Sequence, residues 1–190
     1  MQRRLAIIIA ALLLSAGSAV GAYQLVLPAL DRGAGHAKWQ EKWQEIAWPF
    51  PRDGWPAGRA FRCESCGEVE LYVRPKIGFC NCATGVADDD EVDRVTDLDL
   101  ISERFAPARA GDVVRVADLA GRSRFYALKM QDGADHTAIG IALSHRCDLL
   151  VAVAQGRAEQ AELQRVALDY LASREMHGWM LASLGEAKAH

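Results

Sequence analysis

Four cysteines fall within twenty residues, as Cys63-Glu-Ser-Cys66-Gly67 and Cys80-Asn-Cys82, and no other feature of this chain constrains its fold as tightly. Whether cross-linked or bound to a metal, they pull together the segments that carry them. Compartment decides between the two, because thiols stay reduced in the cytosol and oxidise outside it.

The N-terminus speaks for the outside. Met1-Gln2-Arg3-Arg4 is a short positive region, and Leu5 to Leu14 is an apolar run of signal-peptide length. Val20-Gly21-Ala22 supplies the small side chains a signal peptidase needs, so cleavage before Tyr23 is the expected processing. The competing reading is an uncleaved anchor. No charged residue occurs from Leu5 to Leu30, and about 20 apolar residues span a bilayer. Gly17, Gly21, Gln24 and Pro28 dilute that run. Both readings keep Arg3 and Arg4 cytoplasmic and deliver the rest outward, to a periplasmic or secreted location. Contact with the membrane is expected only through an uncleaved N-terminal segment.

The expected organisation is a signal peptide or anchor over residues 1–22, an aromatic-rich arm over 23–57 and one α+β domain over 58–190. With 22 basic against 25 acidic residues the formal charge is -3, which offers no field for nucleic acid. No internal repeat marks a solenoid. After a linker-like stretch, Asp31 to Gly35, the residues Trp39, Trp43, Ile46 and Ala47 fall on one face of a short N-terminal helix. Pro49, Pro51, Gly54 and Pro56 then impose an extended connector. Val69 to Val73 alternates as a strand, Arg74-Pro75-Lys76 reads as a turn, and Ile77 to Cys80 as the return strand, so the cysteines frame a hairpin. Residues 85 to 103 read as acidic and irregular. Further strands are expected at Asp112 to Val116, Arg124 to Gln131, Thr137 to Ser144 and Leu149 to Ala154, with Asp132-Gly133 as a hairpin turn. A C-terminal amphipathic helix runs from about Ala158 to Arg174 on the stripe Leu163, Val166, Ala167, Tyr170 and Leu171. Strands in a block followed by a helix make a mainly antiparallel sheet with helices on one face.

For an exported chain the preferred reading is two disulfides among Cys63, Cys66, Cys80 and Cys82, with Cys147 a buried free thiol unless it displaces one of the four. Three pairings of four cysteines are open. The alternative is a metal site: two close pairs brought together by a hairpin suit tetrahedral zinc, although the second pair is one residue short of the usual knuckle. Copper lacks a nearby Met or His cluster. A thiol-redox centre at Cys63 and Cys66 lacks a helix N-terminus to lower a thiolate pKa, and Glu64 and Glu68 would raise it.

Other clusters offer less. Ser144-His145-Arg146-Cys147-Asp148 collects a nucleophile, a base and a carboxylate, without recognisable oxyanion donors. The histidines at 36, 136, 177 and 190 form no spaced pair. Asp88-Asp-Asp-Glu-Val-Asp93 with Asp97 and Asp99 concentrates oxygens that calcium uses, but not at calcium-loop spacing, and Arg122 and Arg124 could answer them internally. Trp39, Trp43, Trp48 and Trp55 are either interface anchors or packing for the protein's own sheet. Taken together, the residues describe a non-enzymatic accessory protein, needing no cofactor, that binds another envelope or extracellular protein. A zinc- or copper-binding protein and a thiol-dependent redox enzyme are the alternatives.

Overall fold

The run Leu149-Leu-Val-Ala-Val-Ala154 is apolar at every position, as a strand covered on both faces requires. The computed structural model describes residues 42–51, 53–79 and 81–186, and there this run is the centre of one antiparallel sheet. Its strands are β1 (Gln44–Ile46), β2 (Arg59–Cys63), β3 (Val69–Lys76), β4 (Phe105–Pro107), β5 (Asp112–Val116), β6 (Leu119–Lys129), β7 (Asp135–His145) and β8 (Asp148–Gly156). They lie in the order β1-β2-β3-β8-β7-β6-β4, and β5 pairs with β6 beside β4. The described residues belong to one compact unit, Trp39–His190. The signal or anchor segment, the linker at 31–35, Trp39, Cys80, His36 and His190 lie outside the described residues.

Register sorts the side chains onto two faces. On the first, Phe61, Leu71 and Ala154 stand in one row, which Ile139 and Phe125 continue. Two helices cover this face: α3 (Gln160–Leu171) and α4 (Arg174–Glu186). All five residues of the expected stripe, Leu163 to Leu171, are buried there, joined by Met176 and Met180 of α4. The sheet's other face is covered too, and this corrects the expectation of helices on one side only. The stretch 85–103 is not irregular but carries α1 (Asp89–Val95) and α2 (Leu98–Ile101). Val92, Val95 and Leu98 give these acidic helices an apolar side that seals Ala142, Leu149, Val151 and Val153 from water. Gly140 lies beneath them, where an added Cβ would meet Thr96 Cγ2 at 2.8 Å, so no larger residue fits.

Two further expectations need correcting. Gln44–Ile46 is not helical but an edge strand, pairing Glu45 with Phe61. A helix of ten residues or so is marginal alone, and the open edge of β2 offers its backbone groups direct partners. Arg74-Pro75-Lys76 is not a turn but the end of β3, paired with Val151, Leu150 and Leu149 of β8. Pro75 is tolerated because β2 ends opposite Val73, so no ladder bond is asked of it on that side. The hairpin at the first cysteine pair is therefore β2–β3, closed by a 3-10 turn at Glu64–Cys66 and by Gly67 at φ 85°.

The arm's described aromatics pack inward. Trp43 stacks on Tyr170 with ring centroids 4.8 Å apart. Trp48 and Phe50 close on Tyr72, and Trp55 meets Phe79 edge-on.

Candidate functional site

The cysteines do not converge. Cys63 is bridged to Cys66 across the β2–β3 turn, and Cys82 is bridged to Cys147 in the β7–β8 turn. Cys147 is thus no free thiol: it displaces one of the four clustered cysteines as partner of Cys82. The two bridges sit at opposite ends of the nine-residue β8, because Val69 adjoins Gly156 at one end while Cys147 precedes Asp148 at the other. At ~3.3 Å per residue that is about 25 Å, far beyond the reach of one tetrahedral metal. Among the described residues no three His, Cys, Asp or Glu side chains gather as a metal site. Thiol titration of denatured, unreduced protein is expected to find one thiol per chain, at Cys80. Five thiols, or one zinc per chain released together with thiols by a chelator, would restore the metal reading.

The Ser144 to Asp148 cluster is taken up by structure. Ser144 Oγ accepts the Val86 N–H at 2.9 Å, Cys147 is in its disulfide, and Asp148 Oδ1 accepts the Gly78 N–H at 2.9 Å. The acidic stretch is likewise answered within the chain. Asp89 accepts the Gly111 N–H and pairs with Arg122 at 2.6 Å, and Asp93 takes Arg124 at 2.6 Å and the Tyr126 hydroxyl at 2.5 Å. Asp88 caps α1 by accepting the Glu91 N–H. His177 bonds Asp118 at 2.6 Å.

Beneath the aromatic connector lies a buried ion cluster that the misread turn had hidden. Arg74, only 3% exposed, sends two bonds to Asp97, at 2.6 and 2.7 Å, and one to Asp53 at 2.8 Å. Lys76, 6% exposed, reaches Asp97 at 2.8 Å and the Val95 carbonyl, at the C-terminal end of α1, at 2.7 Å. Burial opposes the Arg74 charge, but its bonds to Asp97 and Asp53 outweigh that and hold its pKa above the ordinary arginine value. Two cations and two carboxylates balance, with Trp48 and Trp55 as lids. With both cations buried and each of the four charges answered within it, this cluster is a staple rather than a site.

What remains open is the far end of the same sheet face, beyond the helices. Here the register sets Arg62, Glu70 and Gln155 in one row across β2, β3 and β8, with His136 of β7 diagonal to Gln155. Arg62 holds Glu70 Oε1 at 2.5 Å, Gln155 Nε2 donates to Glu70 Oε2 at 2.9 Å, and the Tyr72 hydroxyl donates to the same oxygen. His136 Nδ1 meets Gln155 Oε1 at 2.5 Å. Burial pushes Glu70 up, yet the bonds from Tyr72 and Arg62 outweigh it and hold the carboxyl below its ordinary value. Burial and Glu70 push the Tyr72 phenol up. This network floors a pocket of about 630 Å³, walled by Glu64, Glu68, Arg157 and Met130. A second depression of about 380 Å³ shares Met130 and His136 and extends it towards Ile101. The result is a polar groove across the end of the sheet.

Among the described residues Glu70 is one of five carboxyls held low in the fold, with Glu45, Asp53, Asp89 and Asp118. The Arg74 hydrogen bond lowers Asp53, and the Gly111 N–H with Arg122 lowers Asp89. Each binds protons less readily folded than unfolded, so its stabilisation is complete above the unfolded value and is lost as pH falls through the folded one. Urea midpoints should therefore be level from pH 7 to 5 and fall below about pH 4. A midpoint unchanged at pH 3 would contradict this.

No protein-family model matches the chain, and no curated protein matches it. Among solved structures it is similar to PA94 from Pseudomonas aeruginosa, a protein of unknown function described as a candidate regulator. The two share 14% identity over 74% of this chain and 78% of that one, with a TM-score of 0.31.

Proposed function

We propose that this chain is an exported, non-enzymatic accessory protein, stapled by disulfides, that acts by binding another envelope or extracellular protein. The observation that carries the binding role is the polar groove. Its floor is a finished hydrogen-bond network with Gln155 only 4% exposed, so its polar groups are already oriented before any partner arrives. Two disulfides accord with an oxidising compartment outside the cytoplasm. The lack of catalysis is supported by the commitment of Ser144, Cys147 and Asp148 to structural contacts. No described helix is long and apolar enough to cross a membrane.

Two experiments test the reading. N-terminal sequencing of the exported protein should begin at Tyr23; recovery of Met1 or Gln2 on a membrane-embedded species would establish the anchor instead. A photo-crosslinking residue at Arg157 should trap one discrete protein in the native compartment, whereas the same residue at Ala161, exposed on α3, should not. Equal labelling from both positions, or none from either, would remove the groove as the binding surface.

A further inference from the structure

Granted a protein partner, the groove's own hydrogen bonds specify what that partner presents. Glu70, held ionised, can only accept. The Gln155 group facing it must therefore be the NH2, which turns the amide oxygen towards His136. His136 Nδ1 must in turn donate, so in the neutral ring Nε2 carries the lone pair. Among the described residues that nitrogen has no protein partner, and the ring borders both depressions. Two acceptors, the Glu70 carboxylate and the Gln155 amide oxygen, thus impose one tautomer on a residue two strands away from Glu70.

The walls add charge of one sign. Arg62 is committed to Glu70. Among the described residues Glu64 and Glu68 make no side-chain hydrogen bond or ion pair, though Glu64 adds an unbonded attraction to Arg62. Among the described residues that line the pocket, one free cation, Arg157, stands against these two carboxylates. Met130 supplies an apolar wall of the kind that suits the methylene stem of a long charged side chain.

We propose that the groove between Glu64, Glu68 and His136 seats a basic side chain, arginine or lysine, of the partner protein. His136 Nε2 accepts one of its N–H groups and the two carboxylates neutralise its charge. The occupant is a donor carrying positive charge because every uncommitted group except Arg157 is an acceptor.

A labelled tetra-arginine peptide tests this, with tetra-glutamate of the same length as control. Wild-type protein should bind the first and not the second. Glu64→Gln with Glu68→Gln should weaken tetra-arginine binding roughly three- to tenfold, and Arg157→Gln should tighten it about twofold to threefold. Both wall substitutions fall on exposed side chains that hold nothing in place, so folding is not at issue, and their opposite signs exclude a general loss of structure. In the NMR spectrum the His136 ring and Gln155 side-chain amide should shift on titration. Equal affinity for both peptides, unchanged affinity in the double variant, or free arginine binding as tightly as the peptide would overturn the assignment. A discrete crosslinked partner from Arg157 without preference for tetra-arginine overturns the basic side chain and leaves the binding role intact. Tetra-arginine binding without a crosslinked partner does the reverse.

Discussion

Asp97→Ala is expected to lower the free energy of unfolding by about 3–5 kcal/mol. Among the described residues Asp97 is the only carboxylate that touches both Arg74 and Lys76, and both cations are almost fully buried. Removing it does not merely delete an attraction. It leaves an ammonium beneath Trp55 with one carbonyl, and a guanidinium with only the half-open Asp53, whose side chain is 31% exposed. Buried cations without counter-charge are what make such substitutions expensive. The cost should shrink when the charges are removed together. Asp97→Leu with Arg74→Met and Lys76→Met is expected to recover most of the loss, because no orphaned charge remains. Urea denaturation at pH 7 reads both. A loss under about 1 kcal/mol for Asp97→Ala would mean that water reaches the cluster and that these ions behave as a surface pair.

That cluster also marks where the sequence stops being readable. Strand positions with one dominant signal were legible: Asp112 to Val116 is a strand over those very residues, and the Asp132-Gly133 turn joins β6 to β7. The helix stripe from Leu163 to Leu171 is buried as its 3.6-residue period required. Arg74-Pro75-Lys76 misled because two charges around a proline resemble a turn, and only the third dimension supplies Asp97, 21 residues from Lys76, to neutralise a strand end. The acidic stretch held a usable clue in Asp88 with Glu91, a capping pair, followed by Val92, Val95 and Leu98 at helical spacing. In α4 the stripe Met176, Met180 and Leu184 was diluted by Gly178 and Gly185. The groove was hidden for a different reason. Glu70 and Tyr72 alternate with Val69, Leu71 and Val73, and a solvated sheet face gives the same pattern as a binding surface. Only Gln155, ending an apolar run, is out of place, and its meaning depends on His136 arriving from the next strand.

The two disulfides should differ in what they do. Cys82–Cys147 closes a sequence separation of 65 and Cys63–Cys66 one of 3. If cross-links act mainly on the unfolded chain, the first contributes about 4 kcal/mol and the second about 2. Comparing oxidised with reduced protein cancels changes in side-chain packing. The comparison needs two variants, each also carrying Cys80→Ser: one keeps Cys82–Cys147 through Cys63→Ala and Cys66→Ala, the other keeps Cys63–Cys66 through Cys82→Ala and Cys147→Ala. Reduction should destabilise the first about twice as much as the second. Equal losses would place the stabilisation in the native contacts instead. Binding should follow the opposite order. Glu64 lies inside the small ring closed by Cys63 and Cys66, and Glu68 follows it at φ 56°, so opening that ring frees the wall of the groove. Opening Cys82–Cys147 releases the other end of β8, away from Gln155. The bridge that contributes less to stability is therefore the one whose reduction should weaken tetra-arginine binding more, a division of labour that a purely structural role for both bridges does not produce.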